Sequence, residues 1–272
     1  MASRSDGAVS RGARRRGVHS GLVLSQETAN SAPSPGDGLV SVVIPARNEE
    51  EYIEAALASV AGQRYPLEGL ECVVVDNAST DRTSEVATAF AERHPKLRVS
   101  VVSESTVGVA AAKNRGASAA RGRLLIFLDA DSRMDCTLVG DVVAMYRNGS
   151  PAGSIRVVAD SADWLERGFF DLMELGKVLF GIRTQMMYCD RALFMSLGGF
   201  RPDLRVAEDL EFLKRVRREL SRRGNGTVCH IRSSSIATSP RRLRERPWRL
   251  SLITLFLRWA LAFVGIGRRW EY

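Results

Sequence analysis

The chain has 272 residues and a net charge of +8, with 45% hydrophobic and 26% charged residues. These values are typical of a globular protein that is long enough to bury a sizeable core. The four cysteines are widely spaced, which excludes a zinc or redox motif and favours reduced thiols in a cytoplasmic compartment.

The positive charge is concentrated in the C-terminal part of the chain. From Lys214 to Tyr272 there are 15 Lys and Arg residues but only 3 Asp and Glu residues, whereas the middle of the chain is mildly acidic. This asymmetry predicts a basic patch and argues against a uniformly basic nucleic-acid binder. We therefore expect phosphates or an anionic membrane surface as partners, and no nucleic acid.

The first 38 residues are rich in Ser, Gly, Ala and Arg and show no hydrophobic periodicity. Such a composition predicts a disordered basic tail. No apolar stretch follows its arginines, so the sequence does not predict a signal peptide.

From residue 39 onward, apolar runs alternate with helical patterns. The predicted strands are Val40–Ala46, Glu71–Asp76, Arg98–Ser103 and Leu124–Leu128, and the predicted helices between them are Glu49–Gln63, Thr83–Arg93 and Val109–Ala120. Alternation of this kind predicts βαβ units in an α/β fold with a mostly parallel sheet. The strands are almost entirely apolar, as expected where helices cover both faces of the sheet.

The alternation weakens after residue 131. The pattern there predicts helices at Thr137–Arg147, Ala162–Phe180 and Val206–Arg223, strands at Ser154–Val158 and Gln185–Cys189, a turn at Gly198-Gly199-Phe200 and a strand-like segment around Cys229. We find no internal repeat.

Polar side chains follow three of the predicted strands, at Arg47-Asn48, Asp76-Asn77 and Asp129-Ala130-Asp131. Ligands in parallel sheets bind beyond the carboxyl ends of the strands, so these clusters converge on one edge. Two carboxylates after a buried strand are costly unless a positive group meets them. A divalent cation that carries a phosphate is the natural partner, because hard cations prefer oxygen ligands.

Several motifs follow one another in a fixed order along the chain. They are VSVVIPARNEE, VVVDNASTDRT with Asp76, Ser79 and Asp81, Gly108 with the helical segment AKNRG (112–116), Asp129-x-Asp131, Gly198-Gly199-Phe200 and Glu208-Asp209. In this order, over roughly Leu39 to Arg246, they resemble the inverting, family 2 type of glycosyltransferase with the GT-A fold. Lys113 stands where that family usually has Arg, which keeps the charge but loses the bidentate fork.

The resemblance implies a nucleotide-diphosphate sugar as donor and Mn²⁺ or Mg²⁺ as cofactor. Asp131 would hold the metal, and Asp129 would contact the metal or the ribose. Asp76 would accept a hydrogen bond from the base, which favours a UDP or GDP type of donor. Lys113 and Asn114 would support the ribose or diphosphate. The other residues implied in the nucleotide pocket are Pro45, Ala46, Arg47, Asn48, Glu49, Asn77, Ser79 and Ala130.

Inversion requires a base that deprotonates the acceptor hydroxyl. The resemblance assigns this role to Asp209, with Glu208 as the second candidate. Alternatively, both acidic residues only favour the N-terminus of a helix through its dipole. His230 remains open as a third metal ligand.

The segment 241–272 is basic and amphipathic. Arg241 and Arg242 suit a diphosphate or form a solvated basic face. Leu250–Gly267 is apolar but short for a membrane span and carries Arg258 near its middle. We expect a helix that lies on an anionic membrane surface, or alternatively one that packs on the protein.

The sequence thus predicts three parts: a tail at 1–38, a GT-A catalytic domain at 39–240 and the C-terminal segment 241–272. The expected function is inverting, metal-dependent transfer of a single sugar to a hydroxyl acceptor that is lipid-linked, by a cytoplasmic protein peripheral to the inner membrane face. A non-catalytic nucleotide-sugar-binding homologue and a nucleotidyltransferase are the alternatives. A nucleotidyltransferase should have a Gly-rich basic first loop, which residues 46–49 lack. No G-x-G-x-x-G follows the first strand, which argues against a dinucleotide-binding oxidoreductase.

Overall fold

The computed structural model describes residues 39–179, 187–204, 207–224 and 226–241. The predictions for the tail at 1–38, for Arg242 and for the apolar stretch Leu250–Gly267 concern residues outside this described part. Within it, none of the helices combines the length and apolar character that crossing a membrane would require.

The described residues form eight strands and seven α-helices. In chain order these are β1 (Val40–Ala46), α1 (Ile53–Ala61), β2 (Leu70–Asp76), α2 (Thr83–Arg93), β3 (Arg98–Ser103), α3 (Val109–Ala119), β4 (Leu124–Phe127), β5 (Ser132–Met134), α4 (Leu138–Arg147), β6 (Ala152–Ala159), α5 (Trp164–Leu179), β7 (Met187–Asp190), α6 (Arg191–Ser196), α7 (Glu208–Arg223) and β8 (Val228–Thr238). A short 3₁₀ helix at Leu67–Gly69 precedes β2.

All eight strands belong to one sheet in the order β3-β2-β1-β4-β7-β6-β8-β5. The pairs β3–β2, β2–β1, β1–β4 and β6–β8 are parallel, whereas β4–β7, β7–β6 and β8–β5 are antiparallel. Four of the seven pairings are therefore parallel, which confirms the predicted mostly parallel sheet. The antiparallel second half was not predicted.

The sheet is apolar on both faces because successive side chains of each strand point to opposite sides. Val42 and Ile44 of β1 pack in one core cluster, under α1 and α4. Val43, between them, packs in the other cluster, against α3 and α7. Burial on both faces explains why the strand sequences do not alternate between apolar and polar residues.

The chain order of the strands reverses next to β1, since β2 pairs on one side of it and β4 on the other. Ligands in open α/β sheets bind at the carboxyl ends of the strands beside such a switch point. The loops after β1, β2 and β4 therefore surround the position where the sequence predicted a ligand.

The predicted bounds of β1, α2 and β3 are confirmed residue for residue. Helix α1, predicted from Glu49, begins only at Ile53, and the backbone N–H groups of Glu49 and Glu50 instead donate to Thr83 Oγ1 at the start of α2 and to Asp81 Oδ2 just before it. The strand predicted at Gln185–Cys189 is observed as β7, and Gln185 itself lies outside the described residues.

Gly116 sets how closely α3 approaches the sheet. A Cβ atom at this position would lie 2.3 Å from Val43 Cγ1 and 2.9 Å from Val75 Cγ2. We expect Gly116→Ala to lower the free energy of unfolding by about 1–3 kcal/mol, because overpacking forces the helix or the strands to shift. Chemical denaturation measures the change.

Gly168 of α5 provides the matched control, since a Cβ there meets nothing within 4 Å. Gly168→Ala should leave stability unchanged or raise it by about 0.5–1 kcal/mol through helix propensity. Equal effects of the two substitutions would contradict the close-approach explanation.

Candidate active site

The loop after β1 is fastened to the loop after β2. The backbone N–H of Asn48 donates to Ser79 Oγ at 3.1 Å, and the Asn48 side chain accepts from the Thr80 N–H at 2.8 Å. Ser79 N–H in turn donates to Asp76 Oδ1 at 3.1 Å. Asn48 takes a left-handed conformation at φ 56° to allow this. Asn48 and Ser79, which the sequence predicts in the nucleotide pocket, thus hold these two loops together.

Asn77 is only 4% exposed and holds the segment between β3 and α3. Its amide nitrogen donates to the carbonyls of Glu104 and Thr106, and its oxygen accepts from Gly108 N–H. These bonds use both amide hydrogens and the amide oxygen. Asn77 therefore holds the segment between β3 and α3 in place, and its predicted contact with the nucleotide stays a prediction.

The turn after β4 presents the two aspartates and buries the residue between them. The side chain of Ala130 packs in the core at 3% exposure, so the predicted contact of Ala130 with the nucleotide would have to come from its backbone. Asp131 Oδ1 lies 3.2 Å from the Ser132 hydroxyl and 3.5 Å from that of Thr238. The backbone carbonyl of Asp131 accepts from Ser239 N–H at 3.1 Å, which ties this turn to the end of β8.

Arg241 brings a positive charge to the same turn. One of its guanidinium nitrogens lies 3.4 Å from Asp131 Oδ2 and also forms an ion pair with Glu49. Its guanidinium carbon stacks 4.4 Å from the ring centre of Tyr52. Burial lowers the pKa of Arg241, but the bonds to Glu49 and Asp131 outweigh it and raise the pKa above its ordinary value. Tyr52 was not identified from the sequence.

Lys113 is a buried cation among the acidic residues. Its ammonium lies 3.1 Å from Glu208 Oε1, and the two side chains are 7% and 10% exposed. Burial lowers the pKa of Lys113, but attraction to Glu208, Asp129 and Asp209 raises it above its ordinary value. The charged Lys113 thus connects the turn after β4 with the start of α7. The predicted support of the ribose or diphosphate by Lys113 stays a prediction beside this observed ion pair.

Glu208 and Asp209 open α7 and are 8% and 7% exposed. Ala207, directly before them, has φ 60°, a left-handed conformation that is costly for a residue with a Cβ. A role limited to the helix dipole does not require burial of either carboxylate. The burial and the strained backbone both favour a site that the fold holds in place.

Asn114 is engaged with the loop before α7. Its amide nitrogen donates to the Phe200 carbonyl, and its oxygen accepts from Phe200 N–H, both at 2.8 Å. Gly199 fits beside it at φ 67°, where an added Cβ would lie 2.5 Å from the Asn114 oxygen. Asn114 therefore fixes the predicted Gly-Gly-Phe turn, and its predicted contact with the ribose or diphosphate stays a prediction.

His230 does not join the aspartates. Its Nδ1 lies 2.9 Å from Ser154 Oγ and its Nε2 lies 3.6 Å from Glu174 Oε2. His230 and Thr238, the residue that contacts Asp131, pair with Ser154 and Ala159 of β6, five residues apart, which places them roughly 17 Å from each other along the strand. His230 is therefore too distant to complete a metal site at Asp131.

The two aspartates after β4 suit a divalent cation whose remaining ligands are phosphate oxygens and water. Within residues 39–179, 187–204, 207–224 and 226–241, no three His, Cys, Asp or Glu side chains form a metal cluster. Mg²⁺ usually takes one or two carboxylates and completes its coordination with phosphate oxygens and water. Asp129 and Asp131 fit this pattern, and Pro45 to Glu49 and Asp76 lie at the neighbouring strand ends.

Comparison with known sequences gives a consistent family. The model of glycosyl transferase family 2 matches residues 41–194. A PGL/p-HBAD biosynthesis glycosyltransferase of Mycobacterium tuberculosis is 32% identical over 181 residues, which is 64% of this chain and 68% of that protein. Glycosyltransferase AglE of Haloferax volcanii is 41% identical over 92 residues, which is 34% of this chain and 30% of AglE. The chain also covers only 46% of the probable glycosyltransferase YdaM of Bacillus subtilis, at 27% identity.

Solved structures share the fold. The mannosyltransferase PcManGT of Pyrobaculum calidifontis, in complex with GDP-Man and Mn²⁺, matches 84% of this chain and 66% of its own, with a TM-score of 0.63 and 24% identity. Glucosyl-3-phosphoglycerate synthase of Mycobacterium tuberculosis, in complex with Mn²⁺, UDP and phosphoglyceric acid, matches 85% of this chain and 80% of its own, with a TM-score of 0.54 and 24% identity. These likenesses confirm the predicted α/β fold of GT-A type.

The ion pair between Lys113 and Glu208 should couple strongly in a double-mutant cycle. Lys113→Met leaves a buried carboxylate without its cation, and we expect a loss of about 3–5 kcal/mol in the free energy of unfolding. Lys113→Met combined with Glu208→Gln should cost about 1–3 kcal/mol less than the sum of the single changes. Urea denaturation of the four proteins measures the coupling.

The exposed pair of Arg93 and Glu54, whose side chains are 53% and 52% exposed, is the control. Its neutralisation by Arg93→Gln and Glu54→Gln should change stability little. Additive effects at Lys113 and Glu208 would contradict the role of Lys113 as a buried counterion.

Proposed function

The chain belongs to glycosyl transferase family 2, and on that premise we propose that it transfers a single sugar from a nucleotide-diphosphate sugar to a hydroxyl acceptor with inversion. The observation that carries this proposal is the arrangement of two acidic positions around one buried lysine. Asp129 after β4 and Asp209 at the start of α7 both interact electrostatically with Lys113. This arrangement supports a single site in which Asp129 would serve the leaving group and Asp209 the acceptor.

In the proposed reaction, Asp209 accepts the proton of the acceptor hydroxyl. The acceptor oxygen then bonds to the anomeric carbon, while the bond from that carbon to the diphosphate oxygen breaks. The bonding electrons leave with the nucleoside diphosphate. Glu208 suits the role of base less well, because its carboxylate is paired with the Lys113 ammonium.

We propose that Asp129 and Asp131 hold the divalent cation, and that this cation is Mn²⁺ or Mg²⁺. When bound, the metal supplies positive charge beside the departing diphosphate. Asp76, at the end of β2, is the proposed acceptor for an N–H of the base, which favours a UDP or GDP type of donor. The backbone of the loop at Pro45 to Glu49 would form the wall of the nucleotide pocket.

We propose a lipid-linked acceptor that is reached at an anionic membrane surface, with the protein peripheral on the cytoplasmic face. Helix α5 supports this part of the proposal. Its Trp164, Leu172 and Leu175 are 76%, 62% and 53% exposed. Just before it, Asp160 N–H donates to the Thr238 carbonyl, three residues before the basic segment 241–272 begins. The N-terminal end of α5, with Trp164, therefore follows a residue bonded to the end of β8, and this connection between an exposed apolar helix and a basic, apolar sequence supports a membrane surface.

A thermal-shift comparison of UDP, GDP and dTDP sugars, each with and without Mn²⁺, tests the donor and the metal. A ligand that binds only the folded protein raises its stability, by about 2.7 kcal/mol at a hundred times the dissociation constant. We expect one nucleotide type to stabilise the protein in a Mn²⁺-dependent way. Asp131→Asn should remove the Mn²⁺-dependent part of this stabilisation.

Asp171, whose side chain is 68% exposed on α5, is the control carboxylate. Asp171→Asn should respond to donor and metal as the unchanged protein does. An unchanged Mn²⁺ response in Asp131→Asn would rule out the metal assignment. No stabilisation of the unchanged protein by any donor would contradict the proposed function.

Asp209→Asn tests the base. We expect sugar transfer to fall about 10²- to 10⁴-fold, as is typical when a general base is removed, while donor binding persists. Turnover with a hydroxyl acceptor and donor affinity are measured on the same preparation.

Glu211 offers the matched control because it lies in the same first turn of α7 and pairs with Arg215 at 2.8 Å. Glu211→Gln removes the same helix-dipole interaction without touching Lys113. Near-normal turnover of Asp209→Asn, or an equal loss in Glu211→Gln, would exclude Asp209 as the base.

A further inference from the structure

We propose that Arg241 is an exchangeable counterion of the donor site, which leaves Asp131 when a divalent cation binds there and then contacts the donor's diphosphate. The inference rests on the proposed function, since it requires a donor with a diphosphate. It adds a donor-positioning residue outside the part of the chain that matches the family model, which ends at residue 194.

The position of Arg241 is set by the pairing of β8. Ser132 and Thr238 are partners in the β5–β8 ladder, and their hydroxyls lie 2.8 Å apart. Ser239 N–H then donates to the carbonyl of Asp131 itself. These bonds fix the backbone just before Arg241 beside the turn that carries Asp131. The long side chain of Arg241 therefore starts close to the place where the strand pairing ends.

The guanidinium lies beside Asp131 Oδ2, whereas Asp131 Oδ1 faces the hydroxyls of Ser132 and Thr238. It lies 3.4 Å from Asp131 Oδ2 and is paired with Glu49, and these two acidic side chains are 8% and 12% exposed. A metal bound to Asp131 would approach its oxygens to about 2.0–2.3 Å. Two cations a few ångströms apart in a partly buried site repel each other by several kcal/mol at an effective dielectric constant near 20. Metal binding and the contact of Arg241 with Asp131 therefore compete.

The guanidinium of Arg241 can exchange its contact with Asp131 for a contact with the donor's diphosphate. A guanidinium presents its donors in a planar fork that matches phosphate oxygens, so a diphosphate beside Asp131 can bind it in two-point fashion. Glu49 and the ring of Tyr52 hold the side chain at the edge of the pocket during this change. Arg241 thus opposes the metal before the donor is present and favours the donor afterwards.

These two effects have opposite signs, which makes the proposal testable without sugar transfer. Mn²⁺ binding to the full chain is measured from the paramagnetic resonance signal of free Mn²⁺, first alone and then with UDP or GDP. We expect Arg241→Gln to bind Mn²⁺ about tenfold more tightly than the unchanged protein in the absence of nucleotide. With Mn²⁺ saturating, the same variant should bind the nucleotide about tenfold more weakly, as expected for the loss of one charge-assisted bond.

Arg241→Lys separates charge from shape. It should keep a nearly unchanged Mn²⁺ affinity, because an ammonium still opposes the metal, but bind the nucleotide more weakly because the fork is lost. Arg93→Gln, at an exposed ion pair with Glu54, controls for the loss of one positive charge and should alter neither affinity. Thermal unfolding of each variant establishes that it is folded before binding is measured.

An unchanged or weaker Mn²⁺ affinity in Arg241→Gln would overturn the proposal, and so would an equal gain in Arg241→Lys. Nucleotide binding by the unchanged protein that is indifferent to Mn²⁺ would also overturn it, because no cation would then exchange with Arg241. If the unchanged protein binds Mn²⁺ but neither nucleotide, the proposed function fails. In that case a gain of Mn²⁺ affinity in Arg241→Gln would still support the competition at Asp131.

Discussion

The need to neutralise carboxylates at one edge of the sheet is the constraint on which the rest of the structure depends. Strands β1, β2 and β4 run parallel, so the side chains that follow them converge in a small volume. A buried carboxylate without a cation costs several kcal/mol. Lys113 supplies a cation towards Asp129 and α7, and Arg241 supplies one towards Asp131. The site exists because α3 and the end of β8 bring these cations to it.

The second half of the sheet positions the proposed base through packing. Four aromatic rings pack in tilted or edge-to-face contacts with centroids 4.9–5.3 Å apart, and one of the four belongs to α7. Asn114 holds the backbone of the loop that contributes another of these rings. Three residues of α3 thus have separate roles. Lys113 pairs with Glu208, Asn114 fixes the loop at Phe200, and Gly116 lets the helix approach the sheet. The four rings are those of Phe127, Phe194, Phe200 and Phe212.

The parallel half of the fold could be predicted because the strands and helices of each βαβ unit show clear local patterns of apolar residues. The three-residue strand β5 and the six-residue helix α6 were missed because they are too short to show a period. The order of the motifs along the sequence was enough to single out Asp131 and Asp209, but it did not predict the hydrogen bonds of the side-chain amides of Asn77 and Asn114. Asn77 and Asn114 look like ligand-binding residues in sequence, and only three-dimensional contacts show that backbone groups occupy their side chains. The partner of Lys113 is 95 residues away, beyond any local pattern.

Strand β8 connects the two sides of the proposed reaction. At one end, His230 lies 3.6 Å from Glu174 of α5, the helix with the exposed apolar face. At the other end, Thr238 contacts Asp131. Because β8 pairs with β6 over most of its length and with β5 at its end, it holds α5 at a fixed distance from the turn after β4 that carries Asp131. Ladder pairing ends at Thr238, and Arg241, the residue that we propose to respond to the donor, follows three residues later beside Asp131.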